Sequence, residues 1–390
     1  MATRKKTTAK RATKTPRKAR GAAKSAAKPA KKGKPAKKSK PANKPANKSK
    51  PAKTPRKSRG AASGAEKPNK SPRLPSSLPA LRRRAAAGES EAQYALALRL
   101  LDAARSAEQR AEGADWLQRV AAAGHVAAQR DLSFCFHAGI GLEPDAGQAV
   151  RWARAAAEQD DPIAQYNLWL AYANGIGVAR NRRTARRWLE RAAAAGYPDA
   201  LTALGQQRLE HGPGQAEREA GLALLRRAAR RAEPEAQWTL GLVYENGWLV
   251  GADARRAFAW YRKAAEQGHA VAQARVGQAY YEGEGVRRDR KQALEWLRRA
   301  AAQDEPSAQT SLGLIHLEGE AVRRDPARAR DLLERAAAQD HPDALFALGG
   351  MLLTGEGVAV DEDAARGYLR RAAALGDEEA VEVLAGLDAG

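Results

Sequence analysis

Small and apolar residues recur every 36 positions over most of the chain. Alanine returns at each step, without insertion or deletion, at Ala92, Ala128, Ala164, Ala200, Ala236, Ala272, Ala308, Ala344 and Ala380. Counting this alanine as position 1, position 5 holds Leu in every unit except at Val276, and position 6 most often holds Gly. A fixed period of this length is typical of a solenoid, in which short units stack and share one core.

Within each unit the spacing predicts two helices. Positions 1, 5 and 9 fall on one face of a first helix, and position 9 is aromatic at Phe136, Tyr172, Tyr244 and Tyr280. The second helix has a large apolar residue at position 25, Trp in five units, which we expect in the core between repeats. Its predicted N-caps are Asp145, Asn181, Asp253, Asp289, Asp325 and Asp361, and its predicted ends are Gly124, Gly196, Gly268 and Gly376.

The unit that begins at Ala272 carries the pattern most completely. Its run AQARVGQAYYEGEGVRRDRKQALEWLRRAA, with Gly-x-Gly-Val between the helices at 283–286, resembles a Sel1-like repeat. The resemblance implies an all-α, right-handed superhelical solenoid of α/α hairpins, with first helices lining the concave side. It also implies a non-catalytic scaffold for protein partners. Eight units run from 92 to 379, and we expect flanking helices at about 78–87 and 377–387.

Charge divides the chain in two. Residues 1–80 contain 27 Lys and Arg against one acid, whereas the remainder contains 41 basic residues against 44 acids. The first 70 residues contain no large apolar residue beyond Met1, so nothing there can offset the entropy of ordering the backbone. We therefore expect a disordered basic tail at 1–79 and the solenoid at 80–390.

The tail repeats Lys-Pro-Ala five times and resembles the Lys/Ala/Pro-rich tails of linker histone H1 and of the alginate regulatory protein of pseudomonads. In those families such tails coat DNA without reading its sequence. Electrostatics also favours DNA binding by this tail, because a flexible polycation that binds a phosphate backbone releases its counterions, and this release stabilises the complex. The candidate contacts are Arg4, Lys5, Lys6, Lys14, Arg17, Lys18, Lys28, Lys34, Lys40, Lys44, Lys50, Arg56 and Lys57. RNA, acidic lipid, an acidic protein and a merely solubilising leader remain alternatives, although the lack of aromatics favours duplex over single strands.

Candidate chemistry is sparse. A single cysteine, Cys135, excludes an intramolecular disulfide and fits a reducing compartment. The histidines do not cluster, and His125, His269 and His341 share position 34, which favours turn chemistry over metal binding. We expect no catalytic site, no metal and no cofactor. No apolar run is long enough for a membrane span and no apolar core follows the basic N-terminus, so we expect a cytoplasmic protein, with nucleoid association as a hypothesis.

First-helix positions that vary between units are candidates for a partner groove. They are Asp131, Asn167 and Arg275 at position 4, and Asn174, Asn246, Glu282 and Glu318 at position 11. Arginine pairs such as Arg226-Arg227 and Arg287-Arg288 have two explanations. Cations are stabilised at helix C-termini and by nearby acids, or they form a basic ridge that contacts nucleic acid.

Together these features predict an adaptor whose tail binds DNA and whose groove binds an unidentified protein. The alternative is a histone-like protein that compacts the nucleoid, with the solenoid as a spacer, or one that takes RNA as its polyanion. An enzyme is the third class, and no constellation of residues supports it.

Overall fold

The computed structural model describes residues 77–102 and 106–389, and within them the chain is helical and contains no strand. The helices are α1 (Leu78–Ala86), α2 (Ser90–Asp102), α3 (Ala107–Ala122), α4 (Val126–Ala138), α5 (Ala146–Glu158), α6 (Pro162–Asn174), α7 (Arg182–Ala194), α8 (Pro198–His211), α9 (Gln215–Ala229), α10 (Pro234–Asn246), α11 (Ala254–Glu266), α12 (Ala270–Glu282), α13 (Arg290–Ala301), α14 (Pro306–Glu318), α15 (Pro326–Ala337), α16 (Pro342–Thr354), α17 (Glu362–Ala374) and α18 (Glu378–Ala389). The predicted all-α repeat fold is confirmed. The candidate tail cations lie outside the described residues.

The helices stack in chain order. The even-numbered helices α2 to α16 are the first helices of the eight repeats, and the odd-numbered helices α3 to α17 are the second helices. Each helix packs on its neighbours in sequence, and first helices also contact first helices one repeat away, α8 with α10, α12 with α14 and α14 with α16. First helices therefore line the more closely packed, inner side of the stack.

The caps form where the sequence predicts them. All six predicted N-cap side chains accept a backbone N–H from the first turn of a second helix, as Asp145 does from Gln148 at 2.9 Å. Turn chemistry also accounts for two of the repeated histidines, because His125 and His269 cap first helices through Nδ1. The predicted C-terminal glycines have φ between +85° and +95°. The other four repeats adopt the same left-handed turn with Asp160, Ala232, Asp304 and Asp340.

The core is continuous from repeat to repeat. The position-5 residues are buried in all eight repeats, and Leu132, Leu168 and Leu240 are fully inaccessible. Glycine at position 6 lets the second helix approach, since a Cβ on Gly277 would lie 2.7 Å from Leu297 Cγ. Because a single hairpin leaves its apolar face exposed, its stability comes from its neighbours in the stack.

The position-25 residues join the repeats but are mostly half-buried. Trp152 and Trp260 pack against clusters built from the preceding repeat, which confirms the predicted structural role. All five of these tryptophans except Trp152 also have a cation three residues later that lies over the ring. Examples are Arg191 over Trp188 at 4.7 Å and Lys263 over Trp260 at 3.9 Å. These cations are therefore partly accounted for by packing.

Candidate functional site: a groove on the first helices

The first helices α2, α4 and α6 border an open groove of about 1200 Å³. Its apolar surface includes Leu98 on α2, Phe134 on α4, Ile140 in the loop after α4 and Ile163 on α6. Phe134 is 57% exposed, which is unusual for so large an apolar side chain, and Leu98 is 38% exposed. The groove thus presents unburied apolar surface at the N-terminal end of the stack.

Two adjacent residues of α4 show how the groove arises. Successive residues of a helix point about 100° apart, so Cys135 turns into the core while Phe134 faces the groove. Cys135 is only 3% exposed, and burial together with the nearby Asp131 raises the pKa of its thiol to about 11. The thiol therefore stays protonated near neutral pH and packs as a small apolar side chain of the core.

Two of the predicted groove residues, Asp131 and Asn167, line this groove. The Asp131 carboxylate accepts the Tyr94 hydroxyl at 2.6 Å and the Arg130 Nε at 2.9 Å. Arg130 also donates to Asp161 at 3.2 Å, which ties α4 to the start of α6. Burial and the bond to Asp131 raise the pKa of Tyr94. This wall of the groove is therefore held in place by a charged network.

Asn167 differs from Asp131 in having no partner. Among the described residues, its half-buried amide makes no hydrogen bond. An amide offers both a donor and an acceptor, which are the two groups that an incoming peptide bond needs. Asn167 is therefore free to bind a partner's backbone.

The other five predicted groove residues do not line this groove. Arg275 is held by Glu245 and, at 2.7 Å, by Glu284, while Asn246 donates to the Leu242 carbonyl at 3.0 Å. Glu318 accepts the Tyr281 hydroxyl at 2.7 Å, and burial with this bond raises the pKa of Tyr281 to about 12. Asn174 and Glu282 are exposed at the ends of α6 and α12. Their contact with a partner stays a prediction.

Sequence reasoning missed the apolar residues of the groove. Position 7 is apolar in five repeats, exposed at Leu98, Phe134 and Leu314 and half-buried at Leu170 and Leu242. A comparison of the repeats at this one position would have found it. The polar positions 4 and 11 border that apolar line.

Two other kinds of feature were sought in the described residues, a metal site and a membrane-spanning helix. They contain no group of three or more His, Cys, Asp or Glu side chains that could hold a metal ion. Within the same residues, every helix is too short or too polar to cross a membrane.

The repeats match the model of a known protein family. A family model described as the Sel1 repeat matches eight segments, residues 90–125, 126–161, 162–197, 198–232, 234–269, 270–305, 306–341 and 342–377. The first segment begins at residue 90, so this match lends no support to the likeness of the tail to histone-like tails. A search of curated proteins finds no match.

Two solved structures are similar over most of the chain. A protective antigen of uropathogenic Escherichia coli with an SLR fold is 28% identical, with a TM-score of 0.65 over 78% of this chain and 65% of that one. This chain therefore spans about two thirds of the antigen's length. A Sel1 repeat protein from Oxalobacter formigenes is 32% identical, with a TM-score of 0.53 over 80% of this chain and 90% of that one.

Proposed function

Because the chain belongs to the Sel1 repeat family, whose members are generally protein-interaction scaffolds, we propose that it binds a protein partner in the groove of α2, α4 and α6. One observation carries the proposal, the exposure of Phe134 beside Leu98 in a groove of about 1200 Å³. The family fold is typically a non-catalytic scaffold, and a groove of this kind is suited to binding.

The groove has the parts that a binding site needs. Exposed aromatic and aliphatic side chains gain free energy when a partner covers them, and aromatic anchors dominate many interfaces. The Arg130–Asp131 network keeps the wall in place, so little entropy is lost on ordering it. The unpartnered Asn167 amide supplies a polar contact to the partner's backbone.

Replacing Phe134 with Asp tests the groove. We expect Phe134→Asp to abolish retention of a stoichiometric partner when the full chain is used as bait, because the anchor is lost and a charge is buried at the interface. Val360→Asp is the matched control, since Val360 is 66% exposed and lies outside the groove. A partner that both variants retain equally would place its binding elsewhere.

We further propose that the basic tail binds the phosphate backbone of nucleic acid, with 1–79 and 80–390 acting as separate parts. The excess of 26 positive charges in residues 1–80 supports this proposal. Duplex DNA is the favoured form and RNA the alternative. An adaptor and a compacting protein both use the tail, and only the adaptor needs a partner that depends on Phe134.

Salt dependence tests the tail. If about ten tail cations contact phosphates, the logarithm of the association constant should fall against the logarithm of salt concentration with a slope of about −9. Replacing all 27 Lys and Arg of residues 1–80 with Gln, the thirteen candidates included, should remove most of that slope for a 30-base-pair duplex. Binding that keeps its slope in this variant would contradict the proposal, and tighter binding to single-stranded RNA would favour the alternative.

A further inference from the structure

Charge is divided between the two layers of helices. The second helices α5 to α17 contain 24 Lys and Arg against 10 acids, whereas the first helices α4 to α16 contain three Arg against eight acids. The outer layer of a nearly neutral solenoid is therefore cationic. A surface of one sign attracts ligands of the opposite sign over a distance set by ionic strength.

Ion pairs explain some of the cations near the ends of the second helices. Arg191 pairs with Asp160 of the preceding repeat at 2.8 Å, and Arg371 pairs in the same way with Asp340 at 2.7 Å. A helix C-terminus also stabilises a cation through its dipole. The stabilising role that the sequence suggested for these arginines therefore fits this set.

This stabilising role does not fit the cations at the starts of the second helices. The first turns of α7, α11 and α13 each hold two cations, Arg182-Arg183, Arg255-Arg256 and Arg290-Lys291. The helix dipole disfavours a cation there. Arg182, Arg183, Arg255 and Lys291 are exposed and form no ion pair with any described residue. Helix stability and internal pairing therefore leave these four charges unexplained.

Arg255 lines a cleft of about 730 Å³ together with Arg287, another cation that forms no ion pair with a described residue. The cleft lies between the start of α11 and the loop 283–287 of the next repeat. The loop touches the helix because Gly285, at φ +69°, has no side chain, and a Cβ there would lie 2.1 Å from the Ala254 carbonyl oxygen. This close approach brings the two guanidinium groups to one cleft.

The one acid of the cleft is already neutralised. Asp253 caps α11 by accepting the Arg256 N–H at 3.0 Å, and its other oxygen lies 3.3 Å from Arg256 Nε. The charges of Arg255 and Arg287 are therefore not balanced within the cleft. Two uncompensated cations in one cleft favour an anionic ligand.

The same two positions are cationic again one repeat later, although Ala321 stands there in place of Gly285. Lys291 and Arg323 occupy the positions of Arg255 and Arg287, thirty-two residues apart in both cases. Both are exposed, and neither forms an ion pair with a described residue. Two successive cation pairs suit a polymer with regularly spaced charges better than a single small anion.

We propose that the pairs Arg255–Arg287 and Lys291–Arg323 form a basic edge that binds successive phosphates of a nucleic-acid backbone. Arginine presents a planar fork of donors that matches a phosphate, and lysine adds a point charge. The edge belongs to the solenoid, lies apart from the groove of α2, α4 and α6, and does not depend on the tail. The edge and the tail have in common only that both are proposed to bind nucleic acid.

A quadruple variant of the full chain tests the edge. Arg255→Gln, Arg287→Gln, Lys291→Gln and Arg323→Gln together should reduce the salt slope for a 30-base-pair duplex by about 3.6, since each of the four phosphate contacts contributes about 0.9. The matched control replaces Arg151, Arg226, Arg298 and Arg370, four exposed and unpaired second-helix arginines away from the cleft, with Gln. The control should change the slope by less than 1.

Both quadruple variants are also made in the chain whose 27 Lys and Arg of residues 1–80 are all Gln. A loss confined to the edge variant in this background supports the edge even where the tail proposal fails. Equal losses in the two variants would mean diffuse attraction and overturn the edge, as would an effect seen with polyglutamate or anionic lipid vesicles but not with nucleic acid. Arg255→Lys with Arg287→Lys should keep the slope, because both charges remain.

Discussion

Buried glutamines at position 2 join four repeats to the repeat before them. Gln129, Gln165, Gln237 and Gln273 donate from Nε2 to a carbonyl at the end of the preceding second helix, as Gln129 does to Ala121 at 3.1 Å. A second glutamine at position 32 then donates to the Oε1 of the first, as Gln159 does to Gln129 at 2.8 Å. The same pairing occurs between Gln267 and Gln237 and between Gln303 and Gln273. Both groups of the buried amide are thereby satisfied.

The third repeat lacks this second glutamine. Gln165 is 1% exposed and its Oε1 has no hydrogen-bond partner among the described residues, because position 32 is Ala195. An unsatisfied buried acceptor is costly. We expect Ala195→Gln to raise the free energy of unfolding by about 1 kcal/mol, seen as a higher urea midpoint.

Ala194→Gln is the control for this change, since Ala194 is exposed at the end of the same helix. It should leave the midpoint unchanged within a few tenths of a kcal/mol. A stabilisation of the same size in both variants would mean that the hydrogen bond to Gln165 does not form.

At the scale of elements, the contact between α10 and α11 depends on one glycine. Gly241 faces the ring of Tyr261, which is 2% exposed, and a Cβ at Gly241 would lie 2.2 Å from a ring carbon. The Tyr261 hydroxyl donates to Glu245 at 2.5 Å, so the ring cannot move away without losing that bond. The two helices therefore tolerate no added methyl group here.

We expect Gly241→Ala to lower the free energy of unfolding by about 1 to 3 kcal/mol, because overpacking outweighs the better helix propensity of alanine. Gly350→Ala is the matched control in α16, where a Cβ would meet nothing within 4 Å. It should be neutral or stabilising by up to about 1 kcal/mol. Thermal unfolding followed by circular dichroism separates them, and equal effects would contradict the packing argument.

The period of the sequence was enough to predict the helices, their order and their caps. A cap such as Asp145 or Gly196 depends on local backbone geometry, which a single residue type signals. The cation stacking on Trp188 follows from a three-residue spacing on one helix, but it was not predicted because both residues were interpreted separately.

The groove was only half predictable for a different reason. Asp131 and Asn167 stand out because they interrupt a repeated pattern. Phe134 stands out only when position 7 is compared between repeats, because an apolar run that also contains the buried Cys135 looks the same whether it faces a core or solvent. The basic cleft needed coordinates as well, since Arg255 and Arg287 belong to different repeats and meet only after the repeats stack.

At the scale of the whole molecule, the two proposed surfaces lie in different repeats. The groove uses repeats one to three, through α2, α4 and α6, and the basic edge uses repeats five to seven. The fourth repeat lies between them and carries neither. Because stability in a stack is nearly a sum of repeat and neighbour terms, an internal unit is dispensable where its neighbours fit one another.

Deletion of 198–233 removes that unit and joins Tyr197 to Pro234, restoring the Pro that follows Tyr197 in the full chain. Trp238 then follows Tyr166 as the next position-3 aromatic, and both already pack against a position-34 ring, Tyr197 for Tyr166 and His269 for Trp238. The interface loses the Gln206–Thr239 bond of 2.8 Å, so we expect a lower melting temperature but unchanged helicity per residue.

Partner retention that depends on Phe134 and the salt slope of the edge should both persist. Loss of the cooperative transition would show that the repeats are less independent than their stacking implies, whereas a folded variant without partner retention would mean that the partner also needs the fourth repeat.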